Sequence, residues 1–225
     1  MIFDVVLFDF GGTLDGPGDY WLDRFAACYH DCNVDVPRSQ LAAAFAHATR
    51  RSYADAEMRH RYLESTVACH VAWQDEVLGR NDRAAAAAIT AAFVERTRAN
   101  LAATRPWLER WQARTRLGVV SNFYGNVHLL LDEAGFTPLL TTIVDSTAVD
   151  VAKPDPRIFA IALERVGVAP ERSLYVGDSF EKDVLGARSA GIRTAWLPGP
   201  GEPRRTDASA DFVLERFADL DRVIE

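Results

Sequence analysis

The strongest constraint on this chain is an unbroken apolar tetrad, Val5-Val6-Leu7-Phe8, that runs straight into Asp9 and the glycines Gly11 and Gly12. A strand buried on both faces reads as a continuous apolar run, and here it ends in polar and turn residues, as a strand leading into a functional loop does. The layout recurs at Leu117 to Val120 before Ser121 and at Ser173 to Val176 before Gly177 and Asp178, and in weaker form at Thr142 to Val144 and Thr194 to Leu197. Between these runs lie helical stretches ending in Ala134-Gly135, Val166-Gly167 and Ala190-Gly191, where glycine suits the left-handed residue that closes a helix. Alternating strand and helix predict an α/β fold with a Rossmann-like parallel sheet covered on both faces. Such sheets bind ligands beyond the carboxyl ends of their strands, so Asp9, Ser121 and Asp178 are expected to converge on one site.

Residues 20 to 103 break the alternation. They carry apolar positions at helical spacing, such as Leu22, Phe25, Ala26 and Tyr29, then Leu63, Val67 and Val71, and no convincing strand. The expectation is an inserted helical domain over 16–103, hinged at Gly16-Pro17-Gly18 and near Arg105-Pro106, with residues 1–15 and 104–225 forming the core. No internal repeat appears, and the Ala-rich run from Ala84 to Phe93 reflects helix propensity.

Composition narrows the function classes. Of 225 residues 48% are hydrophobic, enough for a core, and 25 Lys plus Arg against 32 Asp plus Glu leave a net charge of −7 without any basic stripe. Binding to a nucleic-acid backbone or an anionic membrane is disfavoured. No apolar stretch approaches the roughly 18 residues of a membrane span, and the N-terminal run lacks a cationic start, so a cytoplasmic protein is expected. Cys28, Cys32 and Cys69 form an odd, unpatterned set and read as reduced thiols. Lys153 and Lys182 are the only lysines, which limits any chemistry that needs one.

Taken in order, Asp9-Phe10-Gly11-Gly12-Thr13-Leu14, Ser121-Asn122, Lys153-Pro154 and Gly177-Asp178-Ser179 with Asp183 resemble the four motifs of the haloacid dehalogenase superfamily of hydrolases. The helical insertion sits where subfamily I of that superfamily places its C1-type cap. Each motif alone is commonplace: a turn Asp, a strand-to-loop Ser-Asn, a solvated Lys, an N-cap Asp followed by a first-turn acid. All four in register are not.

The resemblance implies that Asp9 is the nucleophile that attacks phosphorus. Asp178 and Asp183, with Asp9 and the Gly11 carbonyl, would hold Mg²⁺, a hard cation that takes oxygen ligands. Ser121 and Lys153 would stabilise the phosphoryl group, while Gly12 and Asn122 would help bind it. The substrate would be a small phosphate ester, and the protein a monomer or homodimer. Glu181 and Lys182 suit solvent-facing roles.

One position departs from the pattern. Phosphatases of this superfamily usually carry a second Asp two residues after the nucleophile, as acid and then base; here that residue is Gly11. Losing such a group forfeits about 10²–10⁴ in rate, most for an alkoxide leaving group. Acyl, aryl and anomeric sugar phosphates tolerate the loss. Asp15, Asp19, His30, His47, His60 and His70 are candidates to replace it, and Arg24, Arg50, Arg51 and Arg59 are candidates to meet a second anion, although most suit solvated helix faces. Trp21 and Trp73 suit the core. Members that cleave phosphonates need a cap lysine, and none precedes residue 153. A catalytically weak binding protein and a 2-haloacid dehalogenase remain as alternatives; the latter usually replaces the fourth-motif metal Asp, which this chain keeps.

Overall fold

The computed structural model describes residues 3–16, 18–199 and 210–224. Pro17, part of the expected entry hinge, lies outside them. Six parallel strands, β1 (Val5–Phe8), β2 (Arg116–Ser121), β3 (Thr142–Asp145), β4 (Ser173–Gly177), β5 (Arg193–Trp196) and β6 (Phe212–Val213), form one sheet in the order β3-β2-β1-β4-β5-β6. The first five coincide with the apolar runs. The sixth is two residues long, too short to leave a periodic signal.

Register aligns the strand ends. Phe8 lies opposite Val119 on β2 and Val176 on β4, so Asp9, Ser121 and Asp178 emerge together at the carboxyl edge. Strand order reverses at β1, which puts Asp9 and Asp178 on either side of the crevice where such sheets bind ligands. Side chains alternate across the sheet as a two-residue period requires. Val6, Phe8, Leu117, Val119, Leu174 and Val176 join one buried cluster, and Val5, Leu7, Val120, Val144 and Tyr175 join another.

Between β1 and β2 the chain forms α1 (Trp21–Asp31), α2 (Arg38–Ala54), α3 (Leu63–Leu78) and α4 (Arg83–Trp111), with no strand among the described residues. The Arg105-Pro106 pair is not a break: α4 runs 29 residues straight through it. Proline removes one helical hydrogen bond, but Leu108 and Trp111 beyond it are fully buried, and this packing holds the helix on course. Arg105 also donates to the carbonyls of Ala134 and Gly135, tying this turn to the chain after β2.

Helices α5 (Val127–Glu133), α6 (Ser146–Val149), α7 (Pro156–Val166), α8 (Gly186–Ser189) and α9 (Asp221–Ile224) follow among the described residues. Gly135, Gly167 and Gly191 have φ of 70°, 63° and 78°, the left-handed conformation expected of them. The three cysteines are free thiols, and no helix among the described residues is long and apolar enough to cross a membrane.

Candidate active site

Asp9 follows β1 directly, its backbone N–H fixed by the carbonyl of Val176 at 2.9 Å. Its side chain is gathered with those of Asp178 and Asp183, one oxygen of each lying within 4.8 Å of the others. Lys153 reaches into this group from the loop before α7. Its Nζ lies 2.6 Å from Asp183 Oδ1 and 2.8 Å from Asp9 Oδ1, and donates to Tyr175 Oη at 2.8 Å. Burial opposes charge on Lys153, but Asp183 and Asp9 outweigh it and hold the ammonium well above its ordinary pKa. Lys153 therefore stays cationic.

Three carboxylates face that single cation. Burial, then the charges of Asp183 and Asp9, push the Asp178 carboxyl well above the usual carboxylate range, and burial also raises Asp183 against the pull of Lys153. Asp9 Oδ1 has its charge contact with Lys153 but no well-aligned donor. A surplus of buried negative charge and an underused oxygen fit a hard divalent cation such as Mg²⁺, which relieves both.

The loops around this group are held by their own sequence. Gly12 has φ of 85°, and a β-carbon there would stand 2.4 Å from Asp178 Oδ2, so only glycine lets Asp178 approach. Asp183 Oδ2 accepts from the Ser179 N–H at 2.9 Å, and Trp196 Nε1 donates to the Asp178 carbonyl at 2.8 Å. Asn122 grips the main chain of Lys153 twice: its amide donates to the Lys153 carbonyl at 2.9 Å and accepts the Lys153 N–H at 2.8 Å. Its side-chain amide thus serves the lysine loop.

A cavity of about 550 Å³ opens over these groups, and Asp9, Gly11, Ser121, Asn122, Lys153, Asp178 and Asp183 all line it. Gly12 lies just beneath, buried against Asp178. Among the described residues no histidine lines the cavity. His70 is fully buried, and burial lowers its pKa to about 3. Asp15 is also fully buried, its oxygens taken by Gly12 N, Trp21 Nε1 and two nitrogens of Arg24. Asp19 does line the cavity, but it accepts from Arg24 Nε at 2.8 Å.

One expectation from sequence changes here. Arg24 is no solvated face residue: it is 1% exposed, because Asp15, Asp19 and Thr97 use its whole guanidinium. Arg50, Arg51 and Arg59 do not line the cavity, and Arg51 pairs with Glu76. Lys182, expected in solvent, is exposed and also edges the cavity. Sequence reading missed Tyr175, whose hydroxyl bonds Lys153, Asp183 and the Val120 carbonyl. A tyrosine inside a fully buried strand needs a partner for its hydroxyl, and that signal was available.

A family model described as haloacid dehalogenase-like hydrolase matches residues 3–191. A phosphoserine phosphatase of Thermus thermophilus is 42% identical over 90 residues, covering 40% of this chain and 35% of the relative. The pyrimidine 5′-nucleotidase YjjG of Escherichia coli is 37% identical over 116 residues, 50% of this chain and 51% of its own. This chain therefore spans roughly a third to a half of the length of these curated relatives. The magnesium-bound putative hydrolase YfnB of Bacillus subtilis has the same fold, with a TM-score of 0.62 at 16% identity over 100% of both chains. With the match covering most of its length, the chain belongs to the haloacid dehalogenase-like hydrolases.

Proposed function

We propose that the protein is a magnesium-dependent phosphatase of a small phosphorylated metabolite, working through an aspartyl-phosphate on Asp9. The observation that carries this reading is the convergence of Asp9, Asp178 and Asp183 within 4.8 Å around the single ammonium of Lys153. A phosphatase and a 5′-nucleotidase among the curated relatives support the reaction class.

Asp9, Asp178 and the Gly11 carbonyl are the residues that would hold Mg²⁺, with Asp183 behind them already engaged by Lys153, Tyr175 and Ser179. The ion would draw charge from the phosphoryl oxygens and offset repulsion between the phosphate and Asp9. Lys153, kept protonated by Asp9 and Asp183, adds a fixed positive charge beside the nucleophile. Ser121, 2% exposed at the end of β2, offers a hydroxyl to a phosphoryl oxygen. Asn122 and Tyr175 act through Lys153 as positioning residues. Asp9 attacks phosphorus, the leaving group departs with the electron pair of the P–O bond, and water then cleaves the aspartyl-phosphate to release phosphate.

In this reading residues 16–103 are the cap and residues 1–15 and 104–225 the core, with the second boundary inside α4. The cap supplies the roof of the cavity through Tyr20, Trp21, Phe45, Thr49 and Tyr53. The site of action would be the cytoplasm.

The test is phosphate release from acyl, aryl, sugar 1- and sugar 6-phosphates, with Mg²⁺ or chelator, by wild type and Asp9→Asn. Turnover that needs the metal and is lost in Asp9→Asn is expected. Turnover indifferent to both would overturn the reading. Silence on every ester with Mg²⁺ binding intact would make the protein a binding module on a hydrolase fold.

A further inference from the structure

The wall of the cavity is aromatic, and it starts where the missing acid would stand. A β-carbon on Gly11 would lie 3.6 Å from Trp21 Nε1, in ordinary contact with the indole. From Trp21 the rings continue to Phe123 at 5.6 Å between centroids, to Tyr124 at a further 4.7 Å, and to Tyr53 at a further 5.0 Å. Tyr20 and Phe45, edge to face at 5.8 Å, add a second strip of the same cavity. Tyr20 and Tyr53, 45% and 44% exposed, present phenols that are neutral near pH 7.

Charge along the same wall is nearly spent. Asp19 is paired with Arg24 and Asp23 with Arg38. Among the described residues lining the cavity, Lys182 at the edge is the one cation besides Lys153, and no arginine contributes. A second phosphate or a carboxylate on the substrate would face ring surfaces, whose quadrupole is negative, with no guanidinium among the described lining residues to receive it. A flat, uncharged group fits instead.

Chemistry points the same way. No acid hangs at position 11, Asp15 is consumed by Arg24, Trp21 and Gly12, and no histidine among the described residues reaches the cavity. An alcohol leaving unprotonated is far easier for a phenol, with a pKa of about 10 like tyrosine, than for an alkanol nearer the roughly 16 of water.

We propose that the substrate is an aryl phosphate monoester whose aromatic group carries no charged substituent. This rests on the phosphatase reading of the same site. Asp9 bonds to phosphorus as the P–O(aryl) bond breaks, and the phenolate leaves with the electron pair and takes its proton from solvent. Water then adds to phosphorus and the bond to Asp9 breaks, giving phosphate and free carboxylate. Ester plus water becomes phenol plus phosphate, with no other reactant.

The experiment compares kcat/KM with Mg²⁺ for phenyl phosphate, 4-carboxyphenyl phosphate, acetyl phosphate, glucose 1-phosphate and glycerol 3-phosphate. Phenyl phosphate is expected to exceed the three non-aromatic substrates at least tenfold. The carboxyphenyl ester, whose leaving group is no poorer, is expected to fall at least tenfold below it. In Tyr53→Arg, a half-exposed site where a guanidinium stays hydrated, the gap between the two aryl esters is expected to close at least fivefold. Equal turnover of the two aryl esters, preference for acetyl phosphate or glucose 1-phosphate, or an unchanged gap in folded Tyr53→Arg overturns the aryl inference and leaves the phosphatase reading standing. Silence on all five overturns both.

Discussion

The indole N–H of Trp21 donates to the buried carboxylate of Asp15 at 2.6 Å. The same carboxylate accepts the Gly12 N–H at 2.7 Å and pairs with Arg24, whose guanidinium reaches Thr97 on α4. One acid thus joins the loop carrying the nucleophile to both the first and the last helix of the insertion. Asp15 and Arg24 each have fully buried side chains, so neither charge tolerates loss of its partner.

Arg24→Met is accordingly expected to lower unfolding free energy by about 3–5 kcal/mol, the usual result of stranding a buried charge. Adding Asp15→Asn to it should recover a large part of that loss. Urea unfolding of the two single variants and the double variant checks the coupling, and additive effects would mean the pair is not energetically linked.

Gly11 has φ of −74° and ψ of 117°, a conformation open to any L residue, and a β-carbon there would meet nothing closer than 3.6 Å. Neither backbone nor space demands glycine. Gly11→Asp should fold and raise phosphate release from an alkyl ester such as glycerol 3-phosphate at least tenfold, within the 10²–10⁴ that a placed acid supplies. No gain in a folded variant would show that Trp21 keeps the new carboxyl from the leaving group.

Gly12 is the opposite case. Its φ of 85° carries a penalty of roughly 1–2 kcal/mol for a side chain, and a β-carbon would lie 2.4 Å from Asp178 Oδ2. Gly12→Ala should displace Asp178 and weaken Mg²⁺ binding at least tenfold by calorimetric titration. An unchanged dissociation constant would remove Asp178 from the metal site.

His70 makes stability depend on pH. Its ring stacks on Phe25 at 5.2 Å and accepts from Gln74 Nε2 at 2.7 Å, and burial holds its pKa near 3. In the unfolded chain it protonates below about 6.5, so the unfolded state binds the extra proton between these values. Its contribution is full above pH 6.5 and is lost as pH falls toward 3, by up to ~1.4 kcal/mol per pH unit. The urea midpoint should drop from pH 6.5 to 4.5 more in wild type than in His70→Gln; parallel curves would refute this.

The sheet was legible because its signals are local. A buried parallel strand must be apolar residue after residue, and the turn after it must be polar or glycine, so Val5 to Asp9 and Ser173 to Asp178 announce themselves. Gly135, Gly167 and Gly191 mark helix ends for an equally local reason, their positive φ. The limits of α4 were not legible. Pro106 signals a stop, and only the burial of Leu108 and Trp111 against the sheet overrides it.

The sequence by itself determined which residues stand at the strand ends, Asp9, Ser121 and Asp178, since each motif holds its own placement within a few residues. Tertiary structure alone decided what faces them. Tyr20, Trp21, Phe45 and Tyr53 come from the insertion and Phe123 and Tyr124 from the loop after β2, and they meet only once the helices pack over the sheet. Along a helix an aromatic ring that lines a cavity has the same spacing as one that fills a core, because the choice depends on the element packed opposite.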